Sequence, residues 1–89
     1  DGVRIAPLCC IAHGVHLAKN SLICQAVIMA GSASLGENAI IWGNASVRDG
    51  VAIAAGSVVG MGSVVVRDIP DGEIWAGNPA KPLKERKPV

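Results

Sequence analysis

Aliphatic residues return at every sixth position along most of this chain. Ile5, Ile11, Leu17, Ile23, Met29, Leu35, Ile41, Val47, Ile53, Val59 and Val65 form one series. Four residues after each stands a second series of small or β-branched residues: Cys9, Val15, Ser21, Val27, Ala33, Ala39, Ala45, Val51, Ser57, Ser63 and Ile69. Eleven consecutive hexads keep both rules without an insertion. A period of six fits neither the 3.6 of an α-helix nor the alternation of a two-faced strand, so each hexad reads as a short strand followed by a corner. Hexapeptide repeats in unbroken register belong to parallel β-helices. A Val/Ala-rich β-sandwich would instead separate its strands by irregular turn clusters.

Three hexads make one triangular coil, so residues 18 apart stack one strand spacing, about 4.8 Å, above one another. This predicts three apolar ladders: Ile5, Ile23, Ile41, Val59; Ile11, Met29, Val47, Val65; and Leu17, Leu35, Ile53. The second series stacks inside the corners, where space is short. The register is already running at Ile5, and a solenoid end needs a cap or a partner. An upstream domain or another chain is therefore expected to cover this end. At the other end the register stops at Ile69, and Pro70, Asp71 and Gly72 supply turn chemistry. Residues 73–76 suit one more short strand, Gly77, Asn78 and Pro79 redirect the chain, and Pro82 to Lys87 form a basic tail with room for one helical turn. The expected fold is thus all-β, with a single-stranded parallel β-helix over 1–70 and an exit strand and tail over 71–89.

Composition narrows the function classes. The 89 residues hold one small domain whose core is marginal by itself. Half the residues are apolar, yet there is no Phe or Tyr and only two Trp, so Val, Ile, Ala and Gly do the packing. A net charge of +1 argues against nucleic-acid binding through phosphate contacts. No charge-free apolar run approaches the roughly 18 residues of a membrane span. Cys9, Cys10 and Cys24 are odd in number and form no CxxC pair, which suits reduced thiols in a cytoplasmic protein rather than a disulfide framework or a zinc site.

The segment from Ala54 to Lys84, "AAGSVVGMGSVVVRDIPDGEIWAGNPAKPLK", resembles the last coil and exit of hexapeptide-repeat acyltransferases, in which a run like "GAGSVVTKDVP" precedes "AGNPAK". From Ile5 to Lys84 the chain is also similar, without gaps in register, to the C-terminal domain of the sialic-acid and bacillosamine-type sugar acetyltransferases. The resemblance implies a left-handed coil, an exception to the usual right-handed parallel crossover. It further implies a homotrimer with acetyl-CoA in the groove between adjacent β-helices, and a separate N-terminal nucleotide-sugar domain.

His13 is the third residue of its hexad, at a corner, with its imidazole expected to point outward. In the resembling enzymes the catalytic histidine holds this position, and imidazole chemistry suits a base that deprotonates an attacking hydroxyl or amine. Gly31, 18 residues on, matches the glycine whose N–H binds the thioester carbonyl; a corner glycine needed for positive φ is the alternative reading. By the same matching Gly43 and Met61 contact CoA, and Lys81 and Lys84 reach its phosphates. His16 also faces outward, as a spectator. The chain departs from the family at Gly14, where an acid usually follows the histidine, and at Leu22, where a second groove histidine usually stands. Asp49 lies two rungs from His13, about 9.6 Å away. Trp42 replaces the usual Gly or Ala, between the small stack neighbours Cys24 and Gly60, and is expected over the groove or the trimer contact.

The resulting expectation is a CoA-dependent acetyltransferase acting on a hydroxyl or amine of a sugar or sugar nucleotide, with His13 as general base. Two rivals come from other classes: a non-catalytic trimeric β-helix scaffold, favoured by the missing acid, and a γ-carbonic-anhydrase-like metalloprotein, disfavoured by only two histidines.

Overall fold

The computed structural model describes residues 2–83, and over them the period of six becomes a triangular coil. Among the described residues thirteen short strands form three stacks, parallel except for the last strand. The first face carries β1 (Arg4–Ile5), β4 (Leu22–Ile23), β7 (Ile40–Ile41), β10 (Val58–Val59), β12 (Ile74–Gly77) and β13 (Ala80–Pro82). The second carries β2 (Cys10–Ile11), β5 (Ile28–Met29), β8 (Ser46–Val47) and β11 (Val64–Val65), and the third β3 (His16–Leu17), β6 (Ser34–Leu35) and β9 (Ala52–Ile53). From β1 to β11 every pairing between coils joins residues 18 apart, as in Ile5 with Ile23 and Met29 with Val47.

Within each two-residue strand the second side chain points inward. From Ile23 to Val65 the aliphatic series is buried, and from Ser21 to Ile69 so is the second series. Three members of that second series are serines, and burying a hydroxyl costs free energy unless it is bonded. Ser21 Oγ donates to the Ala18 carbonyl at 2.8 Å, Ser57 Oγ to Pro70 at 2.7 Å and Ser63 Oγ to Gly60 at 2.7 Å. Ser21 and Ser63 thus close their own corners, while Ser57 ties its corner to the next coil. Cys9, less deeply buried, also reaches the next coil, its thiol 3.0 Å from the Cys24 carbonyl.

The corners share one backbone device. The second residue of each corner from Leu8 to Gly62 has positive φ, and its N–H donates to the first corner residue of the preceding coil wherever one precedes it, as in Ser32 to His13 (3.1 Å) and Gly62 to Gly43 (2.9 Å). Left-handed φ disfavours most L residues, which is why Gly and Asn recur there. Leu8, Ala26 and Ser32 adopt it nonetheless, at φ 68°, 59° and 62°.

The N-terminal end is open: Ile5 is 47% exposed, and Cys9, Ile11, Val15 and Leu17 are only partly buried. At the C-terminal end the last coil is two residues short. Val59 pairs with Trp75 and Ile53 with Ile69, both 16 residues apart. This corrects the placement of Ile69 in the corner series. Losing two residues after Val65 moves Ile69 onto a ladder position above Ile53, while Trp75 takes the rung above Val59. Trp75 is 5% exposed, donates Nε1–H to Glu73 at 2.8 Å and lies 5.3 Å beneath the Arg67 guanidinium, so it plugs the coil. β12 then turns through a cis Asn78–Pro79 bond into the antiparallel β13. The expected strand thus runs one residue later, from Ile74 to Gly77, and most of the expected basic tail, Lys84 included, lies outside the described residues.

Candidate active site

Three corners run the length of the coil, and they divide the candidate residues. One corner stacks His13, Gly31 and Asp49 as its first residues, with Gly14, Ser32 and Gly50 behind them. His13 is exposed, as an outward imidazole should be. Its main-chain carbonyl is engaged by Ser32 N–H, and the Gly31 carbonyl by Gly50 N–H at 3.0 Å. Among the described residues the Gly31 N–H, on the rung above His13, donates no backbone hydrogen bond, as is true of the first corner residues Gln25, Gly43, Asp49 and Met61.

Glycine at 31 is not demanded by the fold. Positive φ belongs to Ser32, not to Gly31, which removes the conformational reading of this glycine. A Cβ on Gly31 would meet only the His13 carbonyl oxygen, at 3.5 Å, an ordinary contact. Gly14 is the reverse case: its φ of 78° and the Ser32 Oγ 3.2 Å from its Cβ position explain a glycine there, where the resembling enzymes usually carry an acid. Asp49 turns to Arg48, Nε to Oδ1 3.8 Å, an exposed pair of small energetic consequence.

The second corner stacks Pro7, Gln25, Gly43 and Met61. Beside it lies a groove of about 250 Å³ lined by Cys24, Gln25, Trp42, Gly43, Asn44 and Met61. Trp42 is 44% exposed and Met61 73% exposed, so both project from the surface rather than into the core. The structure therefore brings Gly43 and Met61 together with Trp42, as the sequence led one to expect. Gln25 and Asn44 were missed, although the count of 18 already aligned Gln25 with Gly43 and Met61. Lys81 is exposed on β13, opposite Ala76 of β12, and so stands at the end of the row that runs from Trp42 through Gly60.

His13 and Gly31 are not in this groove. The face made by β2, β5, β8 and β11 separates the two corners, a path of six residues or at most about 20 Å of extended chain. His16 is exposed on the third face, and Leu22 is half-buried on the first. Among the described residues no three His, Cys, Asp or Glu side chains come together as a metal site, and no helix is long and apolar enough to cross a membrane.

Comparison with known proteins gives consistent relatives. The chain is 36% identical over 84 residues, 94% of its length, to a UDP-3-O-acylglucosamine N-acyltransferase of Caulobacter sp. (strain K31), covering 25% of that protein. It is 38% identical over 83 residues to a putative acetyltransferase of Saccharomyces cerevisiae, covering 93% of this chain and 42% of the other. Among solved structures, PerB from Caulobacter crescentus, in complex with CoA and GDP-perosamine, matches with a TM-score of 0.67 and 27% identity over 90% of this chain and 56% of PerB. The acetyltransferase domain of PglB from Neisseria gonorrhoeae, in complex with acetyl coenzyme A, gives 0.65 and 27% over 91% and 54%. No family model matches the chain. The chain spans about a quarter of the length of the acylglucosamine acyltransferases it matches. The coil is that of the left-handed β-helix acyltransferase fold.

Proposed function

We propose, from the premise that this chain belongs to the hexapeptide-repeat superfamily, that it forms the β-helical part of a CoA-dependent acyltransferase acting on an amine or hydroxyl of a sugar or sugar nucleotide. The observation that carries the reading is the stacking at one corner of an exposed imidazole, His13, under Gly31, whose N–H makes no backbone hydrogen bond among the described residues. The acyl donor is acetyl-CoA or a close relative, in line with the CoA and acetyl-CoA complexes of PerB and PglB.

The acceptor nitrogen or oxygen forms a bond to the thioester carbon while His13 removes its proton. Negative charge develops on the carbonyl oxygen, and the Gly31 N–H stabilises it; a single preorganised donor of this kind typically accounts for about 2.7–4 kcal/mol of barrier. The carbon–sulfur bond then breaks, and the imidazolium returns the proton to the CoA sulfur. Direct transfer needs no acyl-enzyme.

The working form is a homotrimer in the cytoplasm. CoA cannot reach both corners of one copy without wrapping a face. In a closed three-fold ring one surface of each copy meets a different surface of the next. Turning the face of β2, β5, β8 and β11 to the axis sets the His13 corner of one copy against the Trp42 corner of its neighbour. That face carries Ile28, 50% exposed, and Val66, 36% exposed, with Cys10, Ala30, Ser46 and Val64, and one charge, Arg48, which turns to Asp49. Four strands about 4.8 Å apart across a width of 21 Å give that face roughly 400 Å².

The test is release of free CoA thiol from acetyl-CoA with amino-sugar nucleotides as acceptors, comparing wild type with His13→Ala. Loss of the base should lower kcat about 10²–10⁴-fold while CoA still binds. Wild-type protein that neither binds CoA nor turns over would refute the enzyme reading.

A further inference from the structure

We propose that Trp42 of one copy is a positioning residue for the pantetheine arm of the acyl donor whose thioester is held at His13 and Gly31 of the next copy, an assignment that rests on the acyltransferase reading above. The repeat supplies the heights. Each coil of 18 residues advances the axis by one strand spacing, so each residue advances it by about 0.27 Å. Copies related by a three-fold axis share these heights. Trp42 therefore stands roughly 3 Å beyond Gly31 along the axis, and Met61 roughly 8 Å beyond it. A donor whose carbonyl is bound at Gly31 and which runs toward the C-terminal coils passes Trp42 first, at its sulfur end.

Beyond Trp42 the outward row of the first face continues over small residues to a lysine. Register pairs Trp42 with Gly60, Gly60 with Ala76 and Ala76 with Lys81, three strand spacings or about 14 Å. The floor is kept flat by its composition, since a Cβ on Gly60 would fall 2.8 Å from that of Ala76. Met61 flanks this floor from the corner. No charged residue lines the groove, the carboxamides of Gln25 and Asn44 stand at its edge, and a cation, Lys81, lies at the far end of the row. An uncharged, amide-bearing chain with sulfur at one end and phosphate at the other matches that sequence of groups. Nothing in the fold calls for an indole at 42: it is 44% exposed beside Cys24 and Gly60.

The experiment uses two donors, acetyl-CoA and S-acetylpantetheine, which lacks the phosphates. Trp42→Ala should raise KM for both donors, roughly tenfold for loss of one aromatic contact, with kcat within about twofold. Trp42→Phe should restore most of the affinity, and Lys81→Ala should raise KM for acetyl-CoA only. CoA should also change the tryptophan emission of the wild type but not of Trp42→Ala, in which only the buried Trp75 remains. An active wild type whose KM is unchanged by Trp42→Ala would overturn the proposal, as would a Trp42→Ala protein that dissociates into monomers, which would make Trp42 an interface residue. A wild type that neither binds CoA nor uses either donor would fail the acyltransferase reading itself, and this proposal with it.

Discussion

Ile40 and Ile41 are adjacent, identical in chemistry and opposite in orientation, and this makes them a direct test of the coil. Ile41 is fully buried between Ile23 and Val59 in the longest ladder, whereas Ile40 faces outward between Leu22 and Val58. Truncating Ile41 to Ala removes apolar atoms from a close-packed core and leaves a cavity that rigid rungs above and below cannot collapse. Such replacements cost about 2–5 kcal/mol. The same truncation at Ile40 removes only partly covered surface and some strand preference, a change of about 1 kcal/mol or less. A small domain has roughly 5–15 kcal/mol in total, so the first variant should lose a large part of its stability and the second little. Urea unfolding followed by far-ultraviolet circular dichroism, at one fixed protomer concentration because assembly shifts apparent stability, measures both. Equal losses at the two positions, or a larger loss at Ile40, would refute the assigned register.

Gly50 has φ of 72° and no atom within 4 Å of its Cβ position, so Gly50→Ala isolates the conformational cost of the left-handed corner; it should destabilise by about 1–2 kcal/mol in the same titration. Trp75→Ala should cost about 3–5 kcal/mol, because it unplugs the last coil and abandons the bond to Glu73 and the contact with Arg67. Ile28→Glu places a charge on the face assigned to the three-fold axis, and analytical ultracentrifugation should show monomers that retain the β-helix spectrum but lose acyl transfer. Gly31→Ala should leave the unfolding midpoint nearly unchanged, since its Cβ meets only an ordinary contact at 3.5 Å, while kcat falls.

Much of the site was legible before the coordinates because the repeat is itself a coordinate system. Counting in 18s put His13 under Gly31 and Gly43 under Met61, and the hexad position made both corners outward. It did not say which of two corner residues takes positive φ, so Gly31 kept a conformational explanation that the backbone assigns to Ser32. Nor did it reveal the partners of the buried serines, which depend on carbonyl directions rather than on spacing. Trp75 escaped notice as a core residue because it lies past the point where the period breaks.

The sequence by itself determined the period, the inward and outward faces and the three ladders, since a side chain's facing in a regular strand follows from its position alone. Only the tertiary structure decided how the coil closes, with a two-residue deficit lifting Ile69 and Trp75 onto the ladders, and which of the two residues at each corner takes positive φ. The reason is physical. A repeat fixes what is equivalent from coil to coil, but the ends of the coil and the distances across it depend on interactions that the repeat does not contain.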